Sequence, residues 1–408
     1  MQSTRLLARK TGSILAARGC CSQGWSFEMT DKQKEMQSEA RKFAREEIMP
    51  KEVEHDKSGE FPWDLVKKAW KNNLMNVCIP KEYGCRGVSL FDACIITEEL
   101  SYACASIETC IDVNSLSHFP VIRRGSEDLK KKYLGRCSEE PICTAFALME
   151  DKAGSNVVDM SSKAEKQGDK YILNGEKMWI TNGGVANWYY VLARTNPDPK
   201  APVNKAFTSF VVERDWPGVK VGEKIGTIGM RCADVRGITF EKVDIPEENV
   251  VGKEGSGLQI TMEAFERTRP LAMSAGIGVA QRCLEDAVKY SKERVVFGKP
   301  IGQHQMIQSL LADMAAAVES ARLVNQRAAW ISDQGQSNSY FSSLSKLLVG
   351  KAAFNNAVNC LQIYSAHGFS TEFPVEKHLR DAKINSIWEG TEQIHKMLVG
   401  RELAKKYT

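Results

Sequence analysis

The sequence predicts an α+β chain in three blocks: helical, then β, then helical. Three observations carry this. Apolar residues recur at spacings of three and four up to about Ser138, short β-branched and aromatic runs separated by turn residues fill Pro141 to Val251, and long amphipathic stretches run from Gly257 to the end. The expected divisions are a leader over 1–25, an N-terminal α-helical domain over 26–142, a middle β domain over 143–252 and a C-terminal α-helical bundle over 253–408.

The first helical segment, "TDKQKEMQSEARKFAREEIM", opens on Thr30 or Asp31 as a cap. "FPWDLVKKAWKNNLMNVCI" continues the pattern, and after the loop "PKEYGCRGVS" comes "FDACIITEELSYACASIETCIDVNSL". That last stretch is apolar around most of its circumference and predicts one central helix. Gly125 to Asp128 then cap "LKKKYLGRC". In the middle block "YILNGEKMWITNGG", "WYYVLAR", "AFTSFVVER", "GVKVGEKIG" and "RGITFEKVDIP" read as strands, with a hairpin turn at Asn174-Gly175. Beyond Gly257, Pro270 is expected to kink or interrupt a long helix. Two further long amphipathic helices, beginning near His304 and Tyr340, complete an up-down bundle.

Composition excludes several classes of function. The chain has 408 residues, 43% of them apolar, which is enough to bury sizeable cores. Its net charge of +4 is small against 55 basic and 51 acidic residues, and no Lys/Arg block marks a nucleic-acid tail. No apolar run reaches the ~20 residues a membrane span requires. Twelve cysteines and six histidines lie scattered without metal-ligand spacing, so neither a metal site nor a disulfide framework is expected. The N-terminus differs from the rest: it carries Arg5, Arg9, Lys10 and Arg18, with no acid before Glu28. Leu6, Leu7, Ile14 and Leu15 can form an apolar face opposite those cations, an import pattern that points to the mitochondrial matrix.

The stretch most open to chemistry is "NSIWEGTEQIHK", Asn385 to Lys396. A carboxylate beside an indole loses solvent and becomes a stronger base, so Glu389 next to Trp388 reads as a proton acceptor. The same residues also read as a surface turn followed by a helix capped by Thr391. Glycine-rich "GKEGSGLQI" and "GIGVAQ" do not follow a strand as the first turn of a βαβ unit and do not read G-x-G-x-x-G, so a Rossmann nucleotide site is not supported. Gly276 and Gly278 instead suit close helix packing.

With "MWITNGG", "RGITFEKVDIPEENV", "ERVVFGKPIGQHQ" and "EFPVEKHLRDAKINSIWEGTEQI", the chain from about Phe27 onward resembles the acyl-CoA dehydrogenases, nearest their medium-chain branch. The resemblance implies an FAD enzyme that oxidises a fatty acyl-CoA to the trans-2-enoyl-CoA, passes electrons to an electron transfer flavoprotein and assembles as a homotetramer. It implies Glu389 as the base; long-chain and isovaleryl-type relatives carry theirs where this chain has Thr268. It further implies that Trp179 and Thr181 meet the flavin ring and that Ser155 lies near both flavin and substrate. Arg294 would meet the FAD pyrophosphate across a subunit interface, with Phe297 near the adenine. Phe146, Leu148, Met149, Ile180, Val296, His304, Gln305, Gln362, Ser365, Ala366, Thr391 and Gln393 would make the remaining FAD contacts. Glu266, Thr268 and Arg269 would bind the CoA moiety, Trp388 and Gly390 would border the thioester, and Glu108 and Asp112 would close the acyl pocket.

The sequence departs from the family pattern in the flavin loop "MEDKAGSN". Met149 stands for a threonine, and Asp151-Lys152 for a proline and a glycine. Val296 replaces a common hydroxyl, and "YSAHGF" replaces a paired-glycine turn. One lost flavin bond costs about 0.5–1.5 kcal/mol, which weakens FAD without abolishing it. These changes leave as the alternative a weakly active or non-catalytic paralogue that binds acyl-CoA or serves assembly; a short- or branched-chain enzyme is a further one.

Overall fold

The computed structural model describes residues 26–407, so the expected leader over 1–25 lies outside the described residues. Thr30 starts the first helix through a capping box: its hydroxyl accepts from Gln33 N–H while the Gln33 side chain accepts from Thr30 N–H. The helical block holds α1 (Asp31–Phe43), α2 (Glu52–Ser58), α3 (Trp63–Lys71), α4 (Leu90–Ala103), α5 (Ala105–Asp112), α6 (Asn114–Arg124), α7 (Glu127–Leu134) and α8 (Arg136–Glu139). The single central helix expected over Phe91 to Leu116 is broken: Cys104 takes extended backbone (φ −163°, ψ 112°) and divides α4 from α5. Apolar periodicity passes straight through such a break, because both helices face the same core.

The middle block is one sheet built from β1 (Thr144–Ala147), β2 (Lys163–Gln167), β3 (Lys170–Thr181), β4 (Trp188–Arg194), β5 (Phe207–Glu213), β6 (Val219–Lys224), β7 (Val235–Pro246) and β8 (Val250–Val251). The strand order is β6-β7-β3-β2-β4-β5-β8, with β1 parallel to β4. The hairpin expected at Asn174-Gly175 is not there. β3 runs through it with a register shift against β7, and the tight turn lies at Gly168-Asp169, where Gln167 pairs with Lys170. Gly175 serves a close approach instead: at φ +150°, a Cβ there would lie 2.6 Å from the Ser162 Cα.

The closing block is a long helix, α9 (Gly257–Glu293), a small ribbon of β9 (Val295–Val296) and β10 (Lys299–Pro300), and then α10 (Gln305–Asp333), α11 (Ser339–Tyr364), α12 (Val375–Ala382) and α13 (Glu392–Lys406). Pro270 does not interrupt α9. Its carbonyl accepts from Ser274 Oγ at 3.0 Å and Asn325 Nδ2 at 2.9 Å, and packing on α4, α10 and α11 overrides the missing N–H. Gly278 lets α4 close in: a Cβ there would sit 2.5 Å from the Glu98 carbonyl oxygen. Among the described residues no helix is long and apolar enough to cross a membrane.

Candidate active site

The turn between α12 and α13 carries Glu389. Ile387 N–H and Trp388 N–H both bond the Ile384 carbonyl, and the chain then flips to φ +54° at Glu389 and φ +92° at Gly390. A non-glycine residue in left-handed backbone stores about 1–3 kcal/mol, a strain kept where the surroundings enforce it. Here they do. His395, wholly buried on α13, reaches back so that its Nε2 lies 2.9 Å from the Glu389 carbonyl. A carbonyl only accepts, so Nε2 carries the proton and Nδ1 accepts from Ser343 Oγ at 3.1 Å. A Cβ on Gly390 would stand 2.7 Å from that Nε2, which leaves glycine as the residue that fits. Burial holds the imidazole neutral, its pKa down to about 4.

The Glu389 carboxyl is short of partners. Its Oε2 is shut off from solvent and bonded to nothing among the described residues, although part of the residue reaches the surface. Its Oε1 lies 3.5 Å from Thr268 Oγ1, but that hydroxyl has one hydrogen and a nearer acceptor, the Ala264 carbonyl at 3.1 Å. Arg269 is buried beside it, yet its Nε faces the Glu389 carbonyl at 3.4 Å and its Nη1 donates to Ser342 at 2.9 Å. Burial therefore pushes the Glu389 carboxyl up to about 7, against the opposing pull of Arg269, Lys346 and the Thr268 hydroxyl. Such a carboxylate is a base poised at neutral pH. Trp388 packs half-buried against the helical cores and closes one side. The Glu389 N–H makes no hydrogen bond within the described residues.

The β layer meets this turn through α9. Phe146 on β1 stacks on Tyr190 and tilts against Phe265, with centroids 4.9 and 5.5 Å away, and Thr268 follows Phe265 by one helical turn. Trp179 is 54% exposed at φ +63° on a β3 bulge, so it is not the core residue that a strand tryptophan usually is. Thr181 is half-buried beside it. Leu148 and Ile180 are at most 2% exposed, their side chains packed in the cores of the β layer, so their main chain is the part that faces a ligand. The altered loop is well anchored. Glu150 accepts from Ser161 N–H and Oγ–H, Ser162 N–H and the buried Lys177 ammonium, while Met149 O accepts from Met178 N–H. Met149 is half-buried and Ser155 exposed.

The remaining expected FAD residues gather elsewhere. Arg294 ends α9, the Val296 carbonyl meets His304 Nε2 at 3.2 Å, and Phe297 is 92% exposed. Gln305 opens α10, Gln362 lies in the last turn of α11, and Ser365 and Ala366 follow in a 3₁₀ turn, where Tyr290 stacks on Tyr364 and bonds His367. All but Val296 and His304 are exposed. From Lys346, near Glu389, to Gln362 on the same helix is about 24 Å, so one chain presents two separated sets of contacts. Thr391 caps α13, its hydroxyl accepting from Ile394 N–H at 3.4 Å, as the plain reading of that turn expected; Gln393 is exposed next to it. Glu266 takes a bond from Ser337. Glu108 and Asp112 lie one turn apart on α5, each with a single long hydroxyl contact at 3.4 Å, from Thr109 and Thr97. Burial raises both carboxyls, Asp112 to about 7 and Glu108 well above its ordinary value, with the Asp112 charge adding to the latter.

Sequence reasoning missed Lys346, Ser343 and His395. Of these only His395, six residues beyond Glu389, had a signal within the motif itself. The ten described cysteines are free, and among the described residues no cluster of His, Cys, Asp or Glu could hold a metal ion.

Sequence profiles match the chain in three consecutive pieces: "Acyl-CoA dehydrogenase, N-terminal domain" over 30–140, "middle domain" over 145–243 and "C-terminal domain" over 255–404. A probable medium-chain specific acyl-CoA dehydrogenase 2, mitochondrial, of Caenorhabditis briggsae is 43% identical over 378 residues, 93% of this chain and 92% of that one. The solved butyryl-CoA dehydrogenase of Megasphaera elsdenii superposes with a TM-score of 0.90 at 32% identity, covering 93% of this chain and all of that one. An FAD complex of PigA superposes at 0.89 with 27% identity, covering 94% and 100%. The chain belongs to the acyl-CoA dehydrogenase family, and it is an enzyme of that kind.

Proposed function

We propose that the protein is an FAD-dependent dehydrogenase of medium-chain fatty acyl-CoA, forming the trans-2-enoyl-CoA in mitochondrial β-oxidation. The observation that carries this reading is the partner-starved, buried Glu389 carboxyl on its strained turn. In it Glu389 takes the α-proton of the thioester. The unbonded Glu389 N–H is a donor for the thioester oxygen, which polarises the carbonyl as the proton leaves. His395 and Arg269 hold the Glu389 carbonyl and so fix where carboxylate and N–H point.

The residues fit the cofactor: Trp179 offers an exposed indole face, Thr181 a hydroxyl, and the Glu150-anchored loop a fixed edge. FAD, when bound, supplies the acceptor for the β-hydride. The second set of contacts, with Arg294 and Phe297 near the far end of α11, suits the FAD of a neighbouring copy and supports a homotetramer. Glu108 and Asp112, whose carboxyls burial shifts toward the neutral form, suit an uncharged acyl tail. Glu266, Thr268 and Arg269 are assigned to the CoA side. Electron transfer flavoprotein is the proposed electron acceptor. The basic, acid-free N-terminus and the mitochondrial relative support delivery to the matrix.

The test is spectral. The purified protein should be yellow, and octanoyl-CoA should bleach the flavin band anaerobically. Glu389→Gln should keep the colour and stop the bleaching; full activity in that variant would remove the assignment.

A further inference from the structure

Lys346 lies in the middle of the α11 sequence "SSLSKLLVG", and its side chain is wholly buried. Burying an ammonium is costly unless it is paired, yet no carboxylate oxygen among the described residues is within ion-pair distance of its Nζ. Its partner is a backbone group, the carbonyl of Asn385, at the start of the turn that ends in Glu389.

That corner is made to bring the groups together. A Cβ on Gly350 would stand 3.0 Å from the Asn385 carbonyl oxygen, and one on Gly276 would stand 2.8 Å from Asn385 Oδ1. Asn385 Nδ2 donates to the Ala382 carbonyl at 3.2 Å, closing the turn on itself. Ser343 lies three residues before Lys346, on the same face of α11, and through His395 it holds the Glu389 carbonyl. One helix face thus grips both ends of the segment from Asn385 to Glu389.

We propose that Lys346 is a positioning residue: through the Asn385 carbonyl it holds the Glu389 turn in place for proton transfer, with the Ser343–His395 pair holding the other end. The inference rests on Glu389 being the base. The charged or titratable groups facing this corner are Glu389, Glu392 and His395 from the turn and α13, Arg269 from α9, and Lys346 itself from α11. Burial brings Lys346 down to about 7, so on the acidic side of neutrality it is an ammonium and favours the ionised form of Glu389; its removal moves the pH at which activity appears.

The experiment compares Lys346→Met, Ser343→Ala and Glu389→Gln as FAD-loaded enzymes, with rates expressed per bound flavin. Lys346→Met should lower kcat about 10- to 100-fold, as expected for a displaced reacting group, with KM changed only a few-fold. Its acidic pH limb should move to higher pH. Ser343→Ala, which changes no charge, should lower kcat less and leave the limb where it is. Should Lys346→Met fail to fold, Ser343→Ala decides, and a wild-type kcat per flavin in that variant overturns the proposal. So does Lys346→Met with wild-type kcat and an unmoved limb, even if it melts earlier. An active Glu389→Gln would instead overturn the assignment of the base.

Discussion

Glu150 and Glu389 are both largely withdrawn from water, and each lies near a buried lysine, Lys177 and Lys346. Their acidities nonetheless diverge. Burial raises the Glu150 carboxyl, but the charge of Lys177 and the donors of Ser161 and Ser162 outweigh it and hold the pKa down to about 2. Burial raises Glu389 too, and the opposing cations and one shared hydroxyl leave it at about 7. Lys177 donates to its carboxylate at 3.0 Å, whereas Lys346 donates to a backbone carbonyl. The difference is the number of donors that reach the carboxyl oxygens. A saturated carboxylate fixes a loop, and a starved one accepts a proton.

The sharpest way to break this comparison is to remove each carboxyl's function in turn. Glu389→Gln should reduce flavin bleaching by acyl-CoA about 1,000-fold or more while FAD stays bound, since positioned general bases contribute 10²–10⁴-fold. Stopped-flow reduction of the flavin measures it. Lys177→Met should act the opposite way. It leaves Glu150 buried without its counter-charge, at about 3–5 kcal/mol, so the thermal midpoint and flavin content fall while the rate per bound flavin changes little.

The pH dependence of stability should mirror between the two sites. Glu389 has its folded pKa raised from 4.5 to about 7, so its favourable contribution is complete below 4.5 and lost as pH rises through 7. Glu389→Gln should therefore gain on wild type as pH rises, to about 3 kcal/mol above neutrality. Glu150 has its folded pKa lowered from 4.5 to about 2, so its contribution is present above 4.5 and lost as pH falls through 2. Glu150→Gln should lose about 3 kcal/mol at neutral pH, and the deficit should vanish in acid. Denaturant midpoints across the pH range check both signs. The smallest effect is expected in the loop that Glu150 anchors: Met149→Thr restores one hydroxyl and should tighten FAD by about 0.5–1.5 kcal/mol, read by flavin-release titration.

The order of helical and β blocks was legible because apolar spacing reports which face is buried. Its failures share a cause. Cys104 breaks a helix without disturbing the apolar pattern, Pro270 is carried through α9 by packing on three neighbours, and Asn174-Gly175 forms a bulge because β7 and Ser162 pass close by. Each is a tertiary effect on a local signal. At the site, Glu389 was visible because its glycine, tryptophan and helix cap lie beside it in the chain. Lys346 and Ser343 were not, since they come from a helix more than 40 residues earlier and look like ordinary members of it.

The central claim is that Glu389 titrates near neutrality because burial strips its water and too few donors replace it. Infrared difference spectra of the FAD-loaded enzyme, wild type minus Glu389→Gln, taken across the pH range, follow the protonated carboxyl band directly. The account predicts a midpoint close to 7. A midpoint in the ordinary carboxylate range would contradict it.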